Sequence, residues 1–164
     1  MFTKILNIAF YLTVTLFLLD RLPNFDIKNQ TLKTLIYWGI LIETPLVLIW
    51  NAYIQKTKLK KLIWAIFPII TLISIFIINP MIILFSSGAW QTQTILYKNT
   101  HLNFKQIEFQ MQDIGALGYK KRTVEVIYLT PFFTISSSIP ENIEQKLEWI
   151  KVDEEINEVE FKGG

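Results

Sequence analysis

The chain has no cysteine and only one histidine. Disulfides, thiolate nucleophiles and cysteine-ligated zinc or iron–sulfur centres are therefore excluded. The lone histidine, His101, falls in the turn-like stretch Lys98-Asn99-Thr100-His101, where no spacing sets a carboxylate against it, and it reads as a solvated turn residue. There is no phosphate-binding loop, dinucleotide fingerprint or HExxH pair, and the serine run Ser136-Ser137-Ser138 lacks the glycines of a nucleophile elbow. Gly115-Ala116-Leu117-Gly118 matches a bare GXXG, but it stands between two strand-like segments and reads as a hairpin turn. These absences predict a non-enzymatic protein with no catalytic residue, cofactor or metal.

Acidic residues are scarce in the first half. Residues 1–85 carry eight Lys/Arg against three acids, Asp20, Asp26 and Glu43, a net of +5. Residues 86–164 carry eight bases against eleven acids, a net of −3. No basic stripe or recognition motif accompanies the overall charge of +2, so no nucleic-acid partner is expected.

The chain is rich in apolar sequence. Runs over about 2–19, 32–54 and 62–85 are each long enough to cross a hydrocarbon core as a helix. The first ends in Leu18-Leu19-Asp20-Arg21-Leu22-Pro23 with no small-x-small cleavage pattern, and so reads as an uncleaved anchor. The linker Gln55–Lys61 holds four lysines and no acid, the pattern of a loop kept on the cytoplasmic side. This predicts a cytoplasmic N-terminus and a C-terminal domain that is periplasmic or extracellular. Tyr37, Trp38, Trp50, Tyr53, Trp64 and Trp90 fall near the span ends, as an interfacial belt would. Pro68 and Pro80 interrupt the third run, and Asn79-Pro80 is expected to mark a bend.

Beyond residue 87 the period changes to two. Thr92–Lys98, Lys105–Asp113 and Lys121–Thr130 read as strands with one buried face, and Phe132–Ser136 as a short fourth. In the second, Ile107, Phe109 and Met111 alternate with Gln106, Glu108, Gln110 and Gln112, which places the polar row toward solvent. Ser138-Ile139-Pro140-Glu141 is a capping box, and Ile143, Leu147 and Ile150 follow at helical spacing. A C-terminal helix is predicted there, followed by an acidic tail. The expected class is an α+β membrane protein: a three-helix transmembrane domain over 1–87 and an extramembrane domain over 88–164, with a small antiparallel sheet and a C-terminal helix.

Glu43 is the sharpest polar feature, lying in the middle of the second run. A carboxylate in hydrocarbon costs several kcal/mol unless protonated or partnered. It predicts a bond within the bundle, for which Thr13, Thr15, Ser74 and Asn79 are candidates, a contact with another subunit, or an ion site. Asn7 and Asn51 are placed to bond across helices near one membrane boundary. Lys120, Lys121 and Arg122 form a basic step that would meet headgroups or an acidic partner.

The richness in Lys, Asn and Ile points to an AT-rich bacterial genome. The reading is an accessory, scaffold or assembly subunit of a larger bacterial inner-membrane complex. Its partners would be the lipid bilayer and other membrane subunits, with a homo-oligomer as a further possibility. One alternative is an oligomeric channel or transport element using Glu43. Another is a membrane-bound immunity-type protein that binds through the β-domain.

Overall fold

The structure, a computed structural model, describes residues 2–115, 118–139 and 147–159. The chain divides into two compact units. The first comprises Met1–Arg21 and Thr34–Ser87, the second Leu22–Lys33 and Gly88–Gly164. Leu22–Lys33 lies in sequence between the first two apolar runs, yet it clusters with the C-terminal residues.

The first unit is built on helices α1 (Phe2–Asp20), α2 (Gln30–Ile54), α3 (Lys58–Ile78) and the short α4 (Pro80–Phe85). Three of them, α1, α2 and α3, are long and apolar enough to cross a membrane. Only 22%, 33% and 17% of their apolar windows are buried, so most of their hydrophobic surface faces outward. In water such continuous apolar faces would be a liability, whereas hydrocarbon is their natural surround. The buried stripe of α1 is Asn7, Phe10, Val14 and Phe17 at helical spacing, and that of α2 includes Ile36, Tyr37, Ile40, Thr44, Val47 and Asn51.

The two helices run antiparallel. Asn7 meets Asn51 at one end, and Phe17 packs edge-on against Tyr37 at the other, with centroids 5.1 Å apart. There Tyr37 donates to Asp20 at 2.6 Å, and Arg21 lies over both rings. Gly39 is where α1 comes close, since a Cβ on it would lie 3.2 Å from Thr13 Cγ2.

The third apolar run does not stay one helix. Asn79 adopts φ 77°, outside the helical region, and ends α3. Its side chain then accepts from Met81 N at 2.9 Å and caps α4, with Pro80 at the first helical position. The Asn79-Pro80 bend is thus a helix stop followed at once by a helix start.

The second unit is a six-stranded antiparallel sheet: β1 (Phe25–Ile27), β2 (Trp90–Asn99), β3 (Lys105–Asp113), β4 (Tyr119–Tyr128), β5 (Phe133–Ser137) and β6 (Trp149–Glu155). The spatial order is β1-β5-β4-β3-β2-β6. The four central strands form the meander that the alternation predicts. The two outer ones correct the expectation of three or four strands. β1 comes from the segment between the first two apolar runs and pairs with β5, Asp26 opposite Thr134. β6 pairs with β2, Lys98 opposite Ile150. It occupies residues that the sequence assigned to the end of a helix and an acidic tail. Ile150 is exposed on it, and its spacing from Ile143 and Leu147 made an edge-strand residue resemble the end of a helical stripe. The remainder of the predicted C-terminal helix, 140–146, lies outside the described residues.

The second correction concerns β3. Its apolar row is buried as expected, with Ile107 1% exposed, but Glu108 is 0% and Gln110 1% exposed. Both faces of this strand are covered. Two register shifts in β2, between Thr92 and Thr94 and between Ile95 and Tyr97, mark bulges that bend the strand beside this polar row.

Candidate functional site

The register explains how the polar row of β3 is met. Gln110 lies opposite Arg122 on β4 and opposite Thr92 on β2. Val126 lies opposite Ser136 on β5. In antiparallel pairs directly opposed residues share a face, so five strands contribute to one surface.

Glu108 is the centre of it. Its carboxylate accepts from Thr92 Oγ1 at 2.5 Å and Gln110 Nε2 at 2.7 Å on Oε2. It accepts from Tyr128 OH at 2.6 Å and Gln106 Nε2 at 2.7 Å on Oε1. A carboxylate has about four lone-pair sites, and all are engaged. The network continues outward. Gln110 Oε1 accepts from Arg122 Nε at 2.9 Å, and Arg122 Nη2 pairs with Asp26 Oδ2 at 2.6 Å. Ser136 Oγ donates to the same oxygen at 2.7 Å. The Arg122 guanidinium also lies 4.1 Å from the centroid of Trp90. On the other side, Lys28 Nζ donates to Thr92 Oγ1 and pairs with Glu158 Oε2 at 2.6 Å. That oxygen also accepts from Thr92 N at 2.6 Å.

A cleft of about 460 Å³ opens beside this network, lined by residues including Lys28, Gln30, Gln91, Tyr128 and Glu158. The chemistry available there is binding and positioning. Glu108 is held by four donors within the sheet and presents no open oxygen to the cleft. Burial, reinforced by the adjacent Glu108 charge, pushes the Tyr128 phenol well above its ordinary value of 10, so the phenol stays a hydrogen-bond donor at neutral pH. Because the folded-state value is the higher one, this contribution to stability is complete below pH 10 and is lost as the pH climbs through the raised value. In an alkaline titration of the tyrosinate absorbance, the Tyr128 phenol is expected to ionise late. Tyr128→Phe should remove that late step, and an unchanged titration in the variant would refute the assignment.

The serine run and the basic step are divided by this arrangement. Ser136 is buried in the network, whereas Ser138 is exposed. Lys120 and Lys121 are exposed, but Arg122 is turned inward onto Asp26, Gln110 and Trp90. Arg122 is therefore a structural cross-link between β4 and β1. His101 is exposed in the turn after β2, its backbone N donating to Asn99 Oδ1. Among the described residues no cluster of three or more His, Asp or Glu is placed to hold a metal.

In the helical unit, Asn51 Nδ2 donates to Asn7 Oδ1 at 3.0 Å, and Asn7 Nδ2 reaches Asn51 Oδ1 at 3.4 Å and Thr3 O at 2.7 Å. This reciprocal amide pair joins α1 to α2. Glu43 is different. Its Oε2 is buried with no hydrogen-bond partner among the described residues. Of the candidates, Thr15 and Ser74 donate to their own helices, at Tyr11 O and Ile70 O, and Asn79 caps α4. Thr13 packs beside Gly39, one turn from Glu43.

Sequence reasoning missed Glu108, Asp26 and Lys28 as members of one site. Their signal is faint: a strand whose polar row is three glutamines and a glutamate, and a short apolar-acid-apolar segment after Pro23. No family model, curated protein or solved structure matches the chain.

Proposed function

We propose that this chain is a small integral membrane protein with no catalytic role of its own, serving as an accessory, scaffold or assembly subunit of a larger complex in a bacterial inner membrane. The observation that carries the reading is Glu43. A carboxyl oxygen is buried in the middle of α2 with no donor among the described residues. Leaving such a group unsatisfied is expensive in an apolar surround; the side chain as a whole is only half-buried, and turning it outward to a donor on a helix of another subunit removes the cost. The lysine-rich linker between α2 and α3 supports a cytoplasmic N-terminus by the positive-inside rule, with the sheet on the opposite side. The saturated Glu108 and the protonated Tyr128 support a binding role for the sheet over a catalytic one.

The test is mild solubilisation of the tagged full chain at native expression, followed by mass spectrometry and native mass. A stoichiometric assembly is expected. Intramembrane hydrogen bonds are worth about 0.6–2 kcal/mol, so Glu43→Leu should lower partner recovery by about three- to thirty-fold, with Glu43→Gln milder. A monodisperse monomer under several mild conditions would sink the reading. The same unpartnered oxygen favours a second one, a homo-oligomeric channel or transport element around Glu43. A homo-oligomer whose conductance changes in Glu43→Gln would select it.

A further inference from the structure

The geometry points to a binding site for one anionic phospholipid in a slot between α1 and α3, its phosphate held by Lys4 and Lys60. The inference rests on the reading that these helices cross a membrane. A cavity of about 340 Å³ is lined by Thr3, Lys4, Asn7, Ile8, Tyr11 and Trp64. Its polar residues are committed elsewhere. Asn7 Nδ2 bonds Thr3 O and Asn51, and Thr3 Oγ1 accepts from Trp50 Nε1 at 3.3 Å. The wall left open is apolar and lies at the small end of ligand-pocket size, which suits one acyl chain.

The helices place the charges at the mouth of the slot. Tyr11 packs on Phe67 with centroids 5.1 Å apart, and Ile8 shares the cavity with Trp64, so α1 and α3 run in the same direction. Lys4 and Lys60 each stand seven residues, about 10 Å along the axis, before this aromatic pair. The Asn7–Asn51 pair brings the end of α2, and with it Lys56, to the same level. No Asp or Glu occurs in residues 1–19 or 44–87, and among the described residues no ion pair engages Lys4, Lys56, Lys58, Lys60 or Lys61. An apolar slot under uncompensated lysines is complementary to a lipid with an acyl chain and a net negative headgroup, since basic pockets between helices hold such headgroups. Trp64, one helical turn beyond Lys60, is a ring that favours the depth just below the headgroups.

The test is native mass spectrometry of the full-length protein in mild detergent, with phosphatidylglycerol or phosphatidylcholine of identical chains. Preferential retention of one phosphatidylglycerol is expected. Lys4→Gln and Lys60→Gln should each reduce it about five-fold, and the pair about 25-fold. Phosphatidylglycerol with brominated chains should quench Trp64, a component absent from Trp64→Phe. Equal retention of the two lipids, indifference to both lysine substitutions, or quenching unchanged in Trp64→Phe would each overturn the site. A partner helix filling the slot would show itself as lipid retention without headgroup preference, which overturns it too. Release of the protein from membranes by carbonate would sink the membrane-spanning reading itself. Firm retention without lipid preference sinks only the slot.

Discussion

Replacing Glu108 by alanine is expected to destabilise the sheet unit by about 3–5 kcal/mol, the scale of leaving several buried groups without their charged partner. Four donors converge on this carboxylate, from Thr92, Gln106, Gln110 and Tyr128, and none finds a substitute acceptor on an alanine. The loss also spreads outward. Gln110 positions Arg122, Arg122 holds Asp26, and Asp26 belongs to β1, which joins the sheet through three paired residues. Glu108→Gln is a gentler probe. It keeps the shape but turns an amide toward donors that need an acceptor, at a cost of about 2 kcal/mol.

For a unit of this size 1 kcal/mol moves the midpoint by about 4–8 °C. The alanine variant should therefore melt more than about 12 °C below the parent in a thermal scan of the full chain. Melting within a few degrees of the parent would mean that water satisfies the donors and that the network holds little together.

Gly88→Ala is expected to be the most damaging substitution of a single small residue. A Cβ at Gly88 would sit 2.2 Å from the carbonyl oxygen of Asp113, a backbone atom at the end of β3 that cannot rotate away. The same glycine offers its carbonyl to Gln112 Nε2 at 2.7 Å, so shifting the backbone to relieve the clash also disturbs the start of the β2–β3 ladder. Overpacking of this kind costs about 3 kcal/mol. Gly115→Ala separates steric from conformational effects. Nothing lies within 4 Å of its Cβ, and its penalty comes only from φ +67°, about 1 kcal/mol. Equal midpoints for the two variants would refute the close approach at Gly88.

Particular residues show why the sheet was half legible. β3 follows from the alternation of Ile107, Phe109 and Met111 with polar neighbours, and the structure begins and ends it at Lys105 and Asp113. The same alternation misled about the polar row. Period two says that two faces differ; it does not say whether the polar one meets water or other polar side chains. Arg122 shows the same limit, since a Lys-Lys-Arg step looks solvated until Asp26, nearly a hundred residues earlier, is brought against it.

The sequence alone determined the three long apolar helices, the stop at Asn79-Pro80 and the central meander, because each rests on local terms: hydrophobic length, a proline without an N–H, and side-chain period. Only the tertiary structure decided that Leu22–Lys33 clusters with the sheet, that β1 and β6 extend it, and that Glu108 is buried among four donors while Glu43 keeps an oxygen without a partner among the described residues. These depend on pairings between residues far apart in the chain. Whether a polar group is satisfied is a property of its neighbours in space, and a linear pattern records only its neighbours in sequence.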